Sequence, residues 1–220
     1  MHDSMTDVYI EAGTKRVFAC AHDWPGWCRS ARDEAGALEA LAAYAERYAA
    51  VAKRARQAFD RKSVTSFRIV ERIRGSANTD FGVPHEVAKR DTTAVPVAEG
   101  KRIGALVKAA WAELDQVVQG APAALRKGPR GGGRDRDKIV DHVLGAEGVY
   151  VRKLGLRLSA PDRHDVAGIK VFRNTLLGAL EKPSSGKAPV EKGWPQRYAA
   201  RRIAWHVLDH AWEIEDRSDF

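Results

Sequence analysis

Four amphipathic segments follow one another in the second half of the chain, and they constrain the fold more than any other feature. From Glu99 onward, apolar residues recur every three to four positions, as on one face of an α-helix. Gly120 and Pro122 end the first segment, and Pro195 opens the last. Helices that each carry one apolar stripe bury those stripes against one another. The pattern predicts an all-α four-helix bundle over residues 96–220.

In the first part of the chain, apolar and polar residues alternate and do not follow helical spacing. Apolar residues alternate on both sides of a glycine turn over residues 8–21, which predicts a β-hairpin. A helix is predicted over 33–59 and a third strand over 66–73, whereas 75–96 has no clear period and is assigned to irregular structure. Residues 1–95 are therefore predicted to form an α+β domain that precedes the bundle.

Charge limits the range of partners. The net charge is +8 and the pI is about 9.6, an excess that is compatible with nucleic-acid binding. The basic residues are nevertheless interleaved with acids, and the densest basic stretch, residues 126–138, is glycine-rich and contains Asp135 and Asp137. A solvated loop is favoured there, and nucleic acid is not the expected partner. A positive field also attracts small anionic substrates.

The cysteines and the lengths of the apolar runs indicate the cellular compartment that is expected for the protein. Cys20 and Cys28 are the two cysteines of the chain, and their C-x7-C spacing does not match a zinc-binding pair. Two reduced thiols in a cytoplasmic protein are expected. No apolar run approaches the roughly 20 residues of a membrane-spanning helix, so no membrane partner is expected. The N-terminal residues also lack the basic-then-apolar layout of a signal peptide.

Three histidines fall on the apolar stripes of two predicted helices. His206 and His210 are four residues apart, so they lie one turn apart on the inward face of the last helix. His142 lies on the inward face of the second bundle helix. A buried imidazole needs a partner, and a shared divalent metal supplies one. Val207 follows His206, so the H-E-x-x-H protease motif is absent. Hydrogen-bonded core histidines remain the alternative.

Glu213 shares the face of the last two histidines, since it follows His210 by three residues. It is the candidate catalytic residue: it can orient a ligand, bind the metal or act as a base, and the competing role is an ion pair with Arg217. Other polar residues near the histidines are predicted to face solvent. They are Asp141, His164, Arg201, Arg202 and Asp209. A capping role is the alternative for His164, and contact with an anionic substrate is the less favoured alternative for Arg201 and Arg202.

Two segments around the histidines resemble the DinB-like superfamily. These are D-K-I-V-D-H-V-L-G-A-E, which contains His142, and A-W-H-V-L-D-H-A-W-E, which contains His206 and His210. The resemblance covers residues 99–217 and implies a four-helix bundle in which the three histidines hold a divalent metal ion, with zinc or nickel expected. It also implies a metal-dependent transferase or isomerase that acts on a small molecule with a low-molecular-weight thiol. A homodimer is a further expectation.

A shorter resemblance involves the N-terminal unit. W-P-G-W-C at residues 24–28, followed by D-E-A-G-A-L at 33–38, is similar to the HicB-like antitoxin fold. It implies a binding or regulatory module that recognises nucleic acid or a protein partner, with histidines that are only structural. No ribbon-helix-helix or helix-turn-helix segment follows, so this function stays the alternative. Trp24, Trp27 and Tyr44 are expected to cover a small core rather than to line a ligand surface.

Overall fold

A mixed four-stranded sheet forms the N-terminal part of the protein in the computed structural model, which describes residues 5–60, 66–128 and 132–218. Strands β1 (Thr6–Ala12) and β2 (Val17–Ala21) form the predicted antiparallel hairpin, and β4 (Phe67–Arg74) pairs with β1 in parallel. The strand β3 (Cys28–Ala31) completes the order β3-β2-β1-β4 and was missed by the sequence analysis. Four residues are too few for an alternating pattern to be visible.

Cys20 and Cys28 lie opposite each other in the register of β2 and β3 and form a disulfide. The prediction of two reduced thiols is therefore wrong. The turn between the strands places the two cysteines side by side, because directly opposed residues of an antiparallel pair have neighbouring Cβ atoms. Gly26 in this turn has a φ of +94°, and a Cβ atom there would lie 2.7 Å from a methyl group of Leu208. The turn thus packs closely on the last helix.

Two helices replace the single helix that was predicted over residues 33–59. They are α1 (Glu34–Ala43), whose first turn is capped by Asp33, and α2 (Ala45–Arg54). The break falls at Tyr44, whose ring contacts Trp212 and the guanidinium of Arg29. The second helix ends early because Arg56 adopts a left-handed backbone with a φ of 56°. Both departures follow from packing and backbone geometry that helical spacing alone does not encode.

The segment between the sheet and the long helices contains little regular structure, as predicted. It contains α3 (Ala77–Phe81) and a 3₁₀ turn (Lys89–Thr92). The fully buried carboxylate of Glu11 organises the segment, because it accepts hydrogen bonds from the Thr79 hydroxyl and from the backbone N–H groups of His85 and Glu86 at 2.6 to 3.0 Å. A buried carboxylate is stabilised by several donors of this kind.

Four long helices make up the rest of the protein. They are α4 (Val97–Gly120), α5 (Arg136–Lys153), α6 (Val166–Leu180) and α7 (Gln196–Ser218), and their bounds agree with the predicted segments to within a few residues. Helix α4 packs against α6 and α7, and α5 packs against α7. None of the helices in these described ranges is long and apolar enough to cross a membrane.

One apolar core runs from the sheet into the long helices. Ile10, Trp27 and Tyr48 from the N-terminal part belong to the same buried cluster as Leu106 and Ile203 from the helical part. Burying side chains of this size stabilises the fold by about 1.5–3 kcal/mol each. The predicted α+β layout is confirmed, and its two parts share a core. As a consequence α7 is covered on both sides, by the sheet and by the other long helices.

The aromatic residues near the first turn belong to this core. Trp27 is fully buried and donates a hydrogen bond from its indole N–H to the Leu41 carbonyl at 2.9 Å, and the Tyr48 hydroxyl donates to the Pro25 carbonyl at 2.9 Å. The ring of Trp24 packs edge-on against Tyr48. The expectation that these tryptophans cover a core, and do not line a ligand surface, agrees with this packing.

Candidate metal centre

His142, His206 and His210 come together between α5 and α7. The ring centroids of His206 and His210, one turn apart on α7, are 4.7 Å apart, and the ring of His142 on α5 lies 5.0 Å from each of them. One ring nitrogen from each histidine lies within 4.8 Å of the other two. Helical spacing placed the pair on one face, and the packing of α5 against α7 supplies the third imidazole. This cluster could hold a metal ion.

The nitrogen separation provides a test of fit for a metal. The Nε2 atoms of His142 and His206 are 3.1 Å apart. Two imidazole nitrogens that bind one metal at its usual distance, with an angle between the octahedral and tetrahedral values, lie about 2.8–3.4 Å apart. A hydrogen bond between the two rings gives a similar distance. The separation is therefore compatible with a shared ion without any movement of the two rings.

Burial favours the neutral form of His142 and of His206. His206 is buried, and its pKa is held well below the ordinary histidine value by loss of solvation and by the charges of His210 and His142. Burial also lowers the pKa of His142, the most exposed of the three. A neutral imidazole has the free lone pair that a metal requires. His142 and His206 are therefore suited to bind a cation through a ring nitrogen.

One nitrogen of the cluster lacks a hydrogen-bond partner. The Nδ1 atom of His206 is buried, and no residue of the described chain bonds to it. A buried polar atom without a partner costs about 1–3 kcal/mol. A metal bound at Nε2, the nitrogen that faces His142, would leave Nδ1 of the same ring without a partner, so the unpaired atom is not itself evidence for an ion.

Glu213 fixes the orientation of one imidazole. Its Oε2 atom lies 2.8 Å from Nδ1 of His210, and its Oε1 atom accepts a hydrogen bond from Nη1 of Arg217 at 2.6 Å. The hydrogen bond from His210 lowers the pKa of Glu213, so the carboxylate is ionised and only accepts. His210 therefore carries a proton on Nδ1, and Nε2 is its ring nitrogen not engaged by Glu213. Glu213 itself is not among the converging ligand atoms.

The two roles weighed for Glu213 thus occur together, since it orients His210 and pairs with Arg217. An open cleft of about 530 Å³ lies beside this pair and is lined also by Arg126 and Lys127. Ligand-binding clefts for small molecules usually enclose several hundred Å³. Its basic side chains favour an anionic occupant. The cleft was not predicted, because the loop and the helix end that form it are far apart in sequence.

Arg201 and Arg202 do not face solvent, which corrects the sequence-based expectation. Arg201 is 6% exposed and Arg202 is 5% exposed. Arg201 forms an ion pair with Asp91, in which Nε donates to Oδ1 at 2.9 Å, and a second hydrogen bond to the hydroxyl of Tyr9. The physical reason is the N-terminal part of the protein, which covers the side of α7 that would face water in an isolated helical bundle. The neighbouring guanidinium of Arg202 lies 4.9 Å from the ring centroid of Trp205.

The remaining polar residues near the site have ordinary surroundings. Asp141 and His164 are exposed, as predicted, and Asp141 pairs with Arg163 at 3.0 Å. Asp209, predicted to be an exposed charge, keeps 40% side-chain exposure and pairs with Arg29 at 2.9 Å. The pairing depends on β3, which the sequence analysis did not foresee.

The basic face of β4 is partly neutralised. Arg68 forms two hydrogen bonds with Asp7 at 2.6 and 2.9 Å, and Arg72 forms two with Glu34 at 2.8 and 2.9 Å. These pairs use the planar fork of each guanidinium on a carboxylate. Arg68 and Arg72 of β4 are therefore paired with carboxylates of the protein itself.

Comparisons with protein-family models, with curated proteins and with solved structures find no match to this chain. The histidine cluster is therefore interpreted from its own geometry and chemistry. The DinB-like and HicB-like resemblances remain predictions.

Proposed function

We propose that His142, His206 and His210 bind one divalent metal ion, and that the protein is a metal-dependent enzyme of the DinB-like kind. The observation that carries the proposal is the convergence of three imidazole nitrogens within 4.8 Å of one another, two of them 3.1 Å apart. Imidazole donors suit zinc and nickel, which are the metals proposed here.

The residues around the triad have separable roles in this proposal. His210 presents Nε2 because Glu213 holds its Nδ1 proton, and Arg217 in turn holds Glu213. Glu213 is thus a positioning residue for a metal ligand. His142, the most exposed of the three, marks the side from which a small molecule reaches the cluster. Three protein ligands leave coordination positions open, where a bound metal lowers the pKa of water or of a thiol.

The reaction class proposed is thiol transfer or isomerisation of a small molecule, with a low-molecular-weight thiol as co-substrate. The DinB-like resemblance suggests this class. The open basic cleft beside Glu213 and Arg217 supports it, because the cleft has the volume and the charge for a small anionic molecule. In this proposal the protein holds the metal with three imidazoles and admits substrate from the side of His142.

Metal content tests the proposal directly. Tag-free protein, purified without chelator and then offered zinc and nickel, is measured by mass spectrometry beside the variants His142→Ala and His206→Ala. His164→Ala is the matched control, because His164 is exposed and lies outside the cluster. The parent and the control are expected to carry about one metal ion per chain, and both cluster variants are expected to lose it while their circular dichroism stays unchanged.

A parent protein that takes up neither metal would refute the proposal, and the binding-module alternative would then be examined through salt-dependent binding to DNA or RNA. Near-stoichiometric metal in the parent would justify a screen of low-molecular-weight thiols with electrophilic small molecules. In that screen the His206→Ala variant is the inactive reference.

A further inference from the structure

Arg202 is a buried cation without a counter-charge. The residue is 5% exposed, and its Nε and Nη1 atoms have no hydrogen-bond partner among the described residues. Its Nη2 atom lies 3.4 Å from the hydroxyl of Tyr150, a long and weak hydrogen bond. Within the described chain no carboxylate forms an ion pair with it. Its guanidinium otherwise lies 4.9 Å from the ring of Trp205 and 5.7 Å from that of Tyr150.

The neighbouring residue shows how this protein treats a buried guanidinium when it is structural. Arg201 is buried to the same degree, but its guanidinium is paired with Asp91 and hydrogen bonded to Tyr9. An arginine side chain keeps its positive charge when buried, and an uncompensated buried charge costs several kcal/mol. Ring contacts offset part of this cost. They leave the two free donors of Arg202 unsatisfied, and an anionic acceptor would satisfy both.

The position of Arg202 connects it with the histidine cluster. It precedes His206 by four residues on α7, so the two side chains lie on one face, one turn apart. Tyr150 spans the two, because its hydroxyl faces Arg202 while its ring centroid lies 5.8 Å from that of His206. A helical turn is about 5.4 Å. A molecule of a few atoms at the histidine cluster therefore reaches the guanidinium.

Space on the sheet side of the guanidinium is limited. A cavity of about 10 Å³ adjoins Arg202 on the side of the sheet and is lined also by Trp27, Cys28, Arg201 and Trp205, but neither Tyr150 nor the three histidines line it. This volume holds about one water molecule or one atom of similar size. This cavity gives room for one water molecule on the sheet side of the guanidinium, and it sets no limit on the size of an anion on the side of Tyr150 and the histidine cluster.

We propose that Arg202, together with the hydroxyl of Tyr150, binds a small monovalent anion next to the histidine cluster. The anion is either the carboxylate of the molecule on which the metal site acts or a free ion such as formate or chloride. The first source rests on the proposed function and makes the substrate a small carboxylate-bearing molecule. The second source requires only the fold.

The first arm of the test uses metal-free protein and titrates formate and chloride, with tryptophan fluorescence as the readout because Trp205 adjoins the guanidinium. The variant R202M keeps the length of the side chain and removes the charge. We expect the parent to bind and R202M to lose about tenfold to a hundredfold in affinity, since hydrogen bonds to a charged group contribute at this level. R173M is the matched control, because Arg173 also lies over a tryptophan but is paired with Asp115.

The second arm uses metal-loaded protein and compares 3-mercaptopropionate with its amide. A preference of the parent for the carboxylate that disappears in R202M identifies the substrate as the source of the anion. The urea midpoint of R202M shows whether the variant folds, and R202K, which keeps the charge but lacks the fork, gives an intermediate affinity. R202M is expected to be at least as stable as the parent in anion-free buffer, because it removes an unpaired buried charge.

The proposal is overturned if the parent responds to none of these anions, or if R202M responds as the parent does. In that case water alone solvates the guanidinium. Failure of the metal proposal is separately visible, because the formate arm needs no metal and the metal content of R202M is measured on its own. Binding of formate by a protein that takes up no metal would support the anion site and refute the metal-dependent enzyme.

Discussion

Glu147 is buried on α5 and makes the stability of the protein depend on pH. Its Oε1 atom accepts a hydrogen bond from the indole N–H of Trp111, and its Oε2 atom has no partner among the described residues. Burial raises the pKa of Glu147 from 4.5 to about 7, although the charge of Arg173 and the hydrogen bond from Trp111 oppose the shift. The folded protein therefore holds this carboxyl group in its neutral form below neutral pH.

The sign and the size of the effect follow from the two pKa values. Between pH 4.5 and pH 7 the folded chain keeps the proton on Glu147 and the unfolded chain releases it. The unfolded state then binds fewer protons, so the free energy of unfolding decreases as the pH rises. A difference of about 2.5 pKa units corresponds to about 3 kcal/mol. This contribution is complete below pH 4.5 and is lost as the pH rises to about 7.

Urea denaturation of the parent and of E147Q, at several values between pH 4.5 and pH 8, measures the effect. The amide of the variant mimics the neutral acid at every pH. The unfolding free energy of the parent, minus that of E147Q, is therefore expected to decrease by about 3 kcal/mol across the range. Burial lowers the pKa of His22 and of His206, so their contributions to the free energy of unfolding decrease as the pH falls. Both histidines are present in the parent and in E147Q, so these contributions cancel in the difference.

E39Q controls for the loss of one carboxylate, because Glu39 is exposed on α1. A difference between the parent and E147Q that stays constant from pH 4.5 to pH 8 would show that Glu147 is ionised in the folded protein. Desolvation would then not control the protonation of this carboxyl group. An increase in the difference with pH would reverse the sign and would mean that Arg173 and Trp111 outweigh desolvation.

Three further substitutions probe the polar contacts of α7. Glu213→Gln weakens the hydrogen bond that holds the Nδ1 proton of His210. We expect metal affinity, measured by competition with a chromogenic chelator, to fall about tenfold to a hundredfold. An unchanged affinity would exclude the positioning role. Asp91→Ala leaves the buried Arg201 unpaired and should lower the free energy of unfolding in urea by about 3–5 kcal/mol, whereas Asp209→Asn, which breaks a half-exposed pair, should cost less than about 1 kcal/mol. Equal losses in those two variants would contradict the assignment of Asp91 as a buried counter-charge.

The sequence predicted the parts of the fold in which helical spacing of apolar residues continues over many residues or a strong helix-stop signal is present. Helix α4 ends at Gly120, as the glycine and the proline that follows indicate, and the spacing of His206 and His210 places both on one face of any helix that contains them. These features are local, so the tertiary structure does not need to be known. The meeting of the pair with His142 required only that two apolar stripes pack together.

The features that were missed depend on contacts between distant segments. The break at Tyr44 accompanies packing of its ring against Trp212, far away in the chain, and no local signal separates Ala43 from Ala45. The strand β3 is recognisable only by its pairing with β2, and the disulfide follows from that pairing. Helical period and turn propensity describe one segment at a time, whereas these features belong to pairs of segments.

Arg201 and Arg202 illustrate this limit at the candidate site itself. They are identical neighbours on one helix, and the 100° step between them predicts only that they point in different directions. The N-terminal part decides what each one meets: Asp91 neutralises Arg201, while Arg202 lies beside Tyr150 and the histidine cluster without a counter-charge. The α+β part therefore does more than cover α7. By pairing one of the two cations and burying both, it leaves the guanidinium of Arg202 without a counter-charge among the described residues, next to the proposed metal site, where the charge is available to a ligand.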